Sequence, residues 1–121
     1  MGAVKDILKK RAKNRARLEK EAPNLYNGFN ELMKHYYSRG ALERKYKESM
    51  AVAFSVATQC VPCLANHNTN AIEAGATKEK VVEAAVTGIE FGVGPSFVVI
   101  RDNLLDFLDE IESSRKSSNR R

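Results

Sequence analysis

Apolar positions recur every three or four residues along most of this chain, the spacing of helices that bury one face. Val4, Ile7, Leu8, Ala12 and Leu18 form a thin stripe on a basic segment that stops before Pro23. Leu25, Phe29, Leu32, Met33 and Tyr36 form a second stripe, which runs out at Gly40, a natural C-terminal stop. Leu42, Tyr46, Ser49, Met50, Ala53, Phe54 and Ala57 carry a third helix over 42–58. After a break at Thr58-Gln59-Cys60, Pro62 suits the first turn of a fourth helix, where its missing N–H leaves no bond unmade. That helix ends at Gly75. Thr77 caps a fifth, with Val81, Val82, Ala85, Val86 and Ile89 inward and Gly92-Val93-Gly94-Pro95 closing it. Phe97, Val98, Ile100, Leu104, Leu105, Leu108 and Ile111 line the last. No run alternates with period two and no repeat recurs at solenoid spacing. The pattern predicts an all-α single domain of about six helices, able to bury a modest core.

Charge divides the chain where the apolar pattern does not. Residues 1–21 hold eight Lys/Arg against three Asp/Glu, residues 22–112 hold eight against twelve, and the segment from Ser113 to Arg121 adds four positive charges. The net charge of +5 therefore belongs to the two ends. Without aromatic interleaving or a binding motif, the basic ends read as a solvated helix and tail rather than as a nucleic-acid surface. The expected organisation is N-terminal helices over 1–38, a core over 39–112 and a basic flexible tail over 113–121. No apolar run approaches the roughly 18 residues of a membrane span. The basic first segment carries no secretory signal, and Asp6 stands where a myristoylation site wants Ser or Thr. The expected address is cytoplasmic, with no membrane partner. In that compartment a Cys-x-x-Cys is more often catalytic or metal-binding than a staple.

Both cysteines and one of the two histidines fall within Cys60-Val61-Pro62-Cys63-Leu64-Ala65-Asn66-His67. On a helix, residues three and four apart share a face, which stacks Cys60, Cys63 and His67 over successive turns. Pro62 in the opening turn places Cys63 near a helix N-terminus, where free N–H groups and the macrodipole favour a thiolate. His67 can take the thiol proton directly or through a water. If Cys63 is oxidised to a sulfenic acid, Cys60 lies close enough to condense with it to a disulfide. Two alternatives stand beside this redox reading. Cys60, Cys63, His67 and Glu48 could ligate zinc, although structural zinc sites usually draw on two ligand pairs. The cysteines could also be core filler, although their clustering beside Pro62 and His67 argues against it. His35, on a tyrosine-rich helix face, reads as a packed or surface residue.

The full spacing resembles the AhpD-like alkylhydroperoxidases of the carboxymuconolactone decarboxylase superfamily, whose fingerprint is Glu, eleven residues, Cys-x-x-Cys, three residues, His. Here it reads Glu48, Cys60-Val61-Pro62-Cys63 and His67, and the likeness extends from about Leu42 through Ile111. It includes Leu42-Glu43-Arg44-Lys45 and the passage Ala71-Ile72-Glu73-Ala74-Gly75-Ala76-Thr77. The resemblance implies an all-helical fold with the Glu48 helix beside the cysteine helix. It also implies a dithiol/disulfide cycle that reduces hydroperoxides without a cofactor. Carried over, Cys63 is peroxidatic, Cys60 its disulfide partner, and Glu48 with His67 the proton relay. The implied partners are a hydroperoxide substrate and a dithiol reductant, such as a lipoylated or thioredoxin-like protein. The implied assembly is a homotrimer or homohexamer. One departure is Pro62, where some members carry a further histidine before the second cysteine. The cysteine pair argues against the lactone decarboxylase branch, whose chemistry needs no thiols.

Overall fold

The break at Thr58-Gln59-Cys60 folds α3 (Arg44–Ala57) against α4 (Val61–Glu73), and this pair forms the centre of the structure. The structure is a computed structural model that describes residues 2–119. Gln59 reverses the chain with φ of 53°, a left-handed conformation uncommon outside glycine. The N–H groups of Gln59 and Cys60 close the end of α3 by donating to the carbonyls of Val56 and Ser55 at 3.2 and 2.9 Å. Val52 and Val56 from one helix, and Leu64 and Ala65 from the other, are fully buried in the resulting core. Glu48 also faces inward, held on the cysteine helix's side by the same packing.

Around this pair run α1 (Ala3–Glu21), α2 (Pro23–Tyr37), α5 (Lys78–Thr87) and α6 (Ile89–Val99, Ile100–Leu104 and Leu105–Asn119, contiguous). The description is therefore six helices and, among the described residues, no strand. Helix α1 docks on its own chain. Val4 enters the core with Ile7 and Leu8 packed behind it. The Glu110 carboxylate of α6 accepts the N–H groups of Val4 and Lys5, both at 2.9 Å, satisfying two donors that a helix start leaves open. An acidic group at that end also complements the helix dipole.

Several expected details differ in instructive ways. The apolar stripe of Tyr46, Met50 and Phe54 on α3 faces outward, and the buried face is Ala51, Val52, Ser55 and Val56 with Glu48. Two apolar faces on one helix cannot both meet a single small core, and the smaller side chains fit closest to α4. The fifth helix breaks at Gly88, not Gly92, and Val86 turns outward. A Cβ on Gly88 would collide with the Ala53 carbonyl and come within 3.1 Å of Val56 Cβ, so close packing on α3 demands glycine there. The expected interruption at Gly92-Val93-Gly94-Pro95 survives as a kink within α6, where Val93 takes φ of 49° and ψ of −125°. Beyond it the helix passes through a π-helical turn over Ile100–Leu104 and continues through Asn119, including residues 113–119 that the pattern assigned to a tail. Among the described residues no helix is long and apolar enough to cross a membrane.

Candidate active site

Cys60 occupies the N-cap of α4, and its sulfur accepts the Cys63 N–H at 3.3 Å. Pro62 lies in the first turn, as its missing donor and fixed φ allow. The two sulfurs are joined in a disulfide across a Cα–Cα distance of 5.2 Å, a spacing that the three-residue step of the helix start supplies. The two cysteines are not equivalent. Cys60 is half-buried and capped by backbone, whereas Cys63 is exposed and lines a cleft of about 560 Å³. Sequence reasoning placed Cys63 as the sulfur served by the helix terminus. In this oxidised form the N–H points to Cys60 instead, and what distinguishes Cys63 is access.

The same cleft receives Glu48 and Arg44 from α3, His67 from α4, and Tyr37 from α2. Glu48 is only 2% exposed, and a carboxylate so placed is costly unless paired. Its Oε1 lies 2.7 Å from His67 Nδ1, and its Oε2 lies 3.9 Å from Arg44 Nε. An ionised carboxylate can only accept, so Nδ1 carries a proton toward Glu48, and whenever the ring is neutral Nε2 is the free acceptor. The Tyr37 hydroxyl lies 3.4 Å from that Nε2, and the two rings stack with centroids 5.5 Å apart. Burial, and then the Glu48 carboxylate and Tyr36, hold the Tyr37 phenol above its ordinary pKa, so it stays a proton donor. Three residues from three helices thus form one hydrogen-bonded line, Glu48–His67–Tyr37.

Glu48, Cys63 and His67 are brought to one cleft, with Cys60 bonded to Cys63 at its edge. No hydrogen bond joins either sulfur to Glu48 or His67 among the described residues, so a bridging water or a small motion must complete any proton path. Tyr37 was missed. Its only signal in the sequence was its place on the tyrosine-rich helix that carries His35, and nothing in the spacing ties it to His67. His35 itself is exposed. Among the described residues, no three His, Cys, Asp or Glu side chains gather in a way that could hold a metal ion.

A sequence profile described as "Carboxymuconolactone decarboxylase family" matches residues 23–100. The uncharacterized protein 4 in the cox locus of Paracoccus denitrificans is 33% identical over 88 residues, covering 73% of this chain and 78% of that one. The crystal structure of an apo carboxymuconolactone decarboxylase family protein from Legionella pneumophila shares 31% identity at a TM-score of 0.78. The alignment covers 91% of this chain and 95% of that one. A Thermotoga maritima structure matches at a TM-score of 0.85 and 23% identity, covering 93% and 98% of the two chains, which supports the fold alone. Together with the helical architecture and the Glu48, Cys60, Cys63 and His67 spacing, these matches show that the chain belongs to the carboxymuconolactone decarboxylase family, within the AhpD-like superfamily.

Proposed function

We propose that the protein is a thiol-dependent hydroperoxide reductase that cycles Cys60 and Cys63 between dithiol and disulfide. The observation that carries this reading is an accessible Cys60–Cys63 disulfide at the cleft that holds the Glu48–His67–Tyr37 line. In the reduced state the Cys63 proton passes to His67, directly or through a water, with Glu48 steadying the imidazolium. The Cys63 thiolate attacks the terminal oxygen of a hydroperoxide and the O–O bond breaks. The alkoxide leaves as an alcohol, taking the proton back from His67. Cys63 is now a sulfenic acid. The Cys60 thiol attacks its sulfur, the S–S bond forms, and hydroxide leaves with the thiol proton as water. One hydroperoxide and two thiols become one alcohol, one water and one disulfide, a balanced two-electron exchange.

Recharging needs an external dithiol, such as a protein-bound dihydrolipoamide or a thioredoxin-like protein, in a reducing compartment such as the cytoplasm. Its thiolate would reach the exposed Cys63 sulfur, and Cys60 would leave as a thiolate that the Cys63 N–H and the helix terminus stabilise. That asymmetry equally suits a general disulfide oxidoreductase, the second reading. A coupled assay separates them. With dithiothreitol present, the protein should consume cumene hydroperoxide over many turnovers. Consumption no faster than without protein, alongside rapid exchange with a disulfide substrate, would favour the second reading.

We propose that the chain self-associates, as the homotrimer or homohexamer that the family resemblance implies. Helix α2 buries none of its residues, and Leu25, Phe29 and Leu32 are each more than half exposed. On α3 and α6, Phe54, Phe91, Val93 and Phe97 are likewise exposed. Apolar patches on this scale mark contact surfaces in soluble proteins.

A further inference from the structure

Arg11 is the one cleft residue contributed by α1, which lies outside the residues 23–100 shared with the family. It is half-buried, and among the described residues it makes no ion pair with any carboxylate. Burial, and then the neighbouring Arg15, hold its pKa below the usual guanidinium value, the situation of a cation whose counter-ion is missing. Glu48, the carboxylate that lines the same cleft, is already engaged by His67 and Arg44. Phe29, Met33 and Tyr36 give the cleft that holds Arg11 and Cys63 an apolar part beside its polar residues Asn66 and Asn70. Arg11, Phe29 and Met33 also line a second cavity of about 380 Å³ between α1 and α2, with Leu18 and Leu25 on its walls. The two cavities therefore adjoin at these three side chains, and the cleft half of this trough includes Cys63.

We propose that this trough selects amphiphilic organic hydroperoxides that carry a carboxylate, as a hydroperoxy fatty acid does. Arg11 binds the carboxylate, and the aliphatic chain lies over Phe29 and Met33 so that the hydroperoxide reaches Cys63. The reactive step rests on the peroxidase reading above, whereas the binding site does not require it. A guanidinium matches a carboxylate in two-point geometry, and a partly desolvated site strengthens that pairing. The remaining chain gains by leaving water against the apolar wall. Arg11 is thus a specificity-determining residue, and α1 is the element that carries it.

The test compares a medium-chain hydroperoxy fatty acid with its methyl ester in single-turnover oxidation of the reduced protein. Calorimetry of octanoate and of methyl octanoate on the oxidised protein runs in parallel. The acid should react and bind about tenfold better than the ester, the scale of one charge-assisted hydrogen bond. The preference should shrink with added salt in the wild-type protein. It should collapse toward unity in Arg11→Gln and partly persist in Arg11→Lys. Equal use of acid and ester, with no salt dependence, would overturn the specificity while leaving peroxide reduction intact. Arg11-dependent octanoate binding in a protein that no hydroperoxide oxidises would sustain the site and remove the peroxidase reading. Failure of octanoate to bind, as when a second copy of the chain fills the trough, would overturn the proposal.

Discussion

His67 Nδ1 lies 2.7 Å from Oε1 of Glu48, a carboxylate that is 2% exposed, across the contact between α3 and α4. This one pair fixes the tautomer of the imidazole and gives a buried charge its partner. Glu48→Gln keeps the shape but removes the charge that steadies the His67 imidazolium. Cys63 oxidation by hydroperoxide should then slow by on the order of a hundredfold, the usual scale for one acid–base group. Stopped-flow measurement under single-turnover conditions reads the step directly. A rate within about threefold of wild type, well below that scale, would remove Glu48 from the proton path.

Tyr37 supplies a spectroscopic handle on the same line of residues. Its pKa is raised first by burial and then by the Glu48 carboxylate, whereas that of Tyr26 is lowered by the Arg15 and Asn30 hydrogen bonds. Ultraviolet titration should therefore show one tyrosine ionising early and one late. Tyr26→Phe should delete the early phase and Tyr37→Phe the late one. Because the folded pKa of Tyr37 lies above its unfolded value, its contribution to stability is complete below about pH 10 and is lost as pH rises through the folded value. Tyr37→Phe should flatten that alkaline loss of stability. A late phase that survives in Tyr37→Phe would contradict the assignment.

The periodicity of apolar residues was enough to place the first four helices and the breaks before Pro23 and at Thr58-Gln59-Cys60. The Glu48, Cys60, Cys63 and His67 spacing was enough to nominate the site. What it could not convey was which face of α3 turns inward, since Tyr46, Met50 and Phe54 compete with Ala51, Val52 and Val56 for one core. Only packing against α4 decides that. Tyr37 and Arg11 were likewise illegible, because they reach the cleft from helices far along the chain, at positions no local pattern marks. The close approach at Gly88 is a third case, since a glycine's need for space is visible only against its neighbour.

Gly88→Ala tests that packing. The new methyl group would meet the Ala53 carbonyl and Val56 on α3, so the helices must separate or the chain must shift. A loss of about 1–3 kcal/mol in unfolding free energy is expected, the range for overpacked cores. Gly94→Ala, where the added methyl meets nothing within 4 Å, is the control. Chemical denaturation of both variants checks the difference, and equal stabilities would show that α5 does not approach α3 so closely.

The exposed faces of α2 and of α3 with α6 predict self-association. Light scattering at micromolar concentration should return a trimer or hexamer mass. Phe54→Glu or Leu32→Glu should lower it, because a charge buried against an apolar partner is unfavourable. A monomeric wild-type mass would contradict the assembly and leave both faces to other partners.

The most direct test of the cycle is a thiol count. Fully reduced protein, titrated before and after one equivalent of hydroperoxide, should lose both thiols per chain and lose two mass units as an intramolecular Cys60–Cys63 bridge forms. Cys63→Ser should not react, whereas Cys60→Ser should react once and stop at a sulfenic acid. Retention of both thiols in the wild-type protein, or equal single-turnover rates in the two variants, would contradict a cycle begun at Cys63 and closed by Cys60.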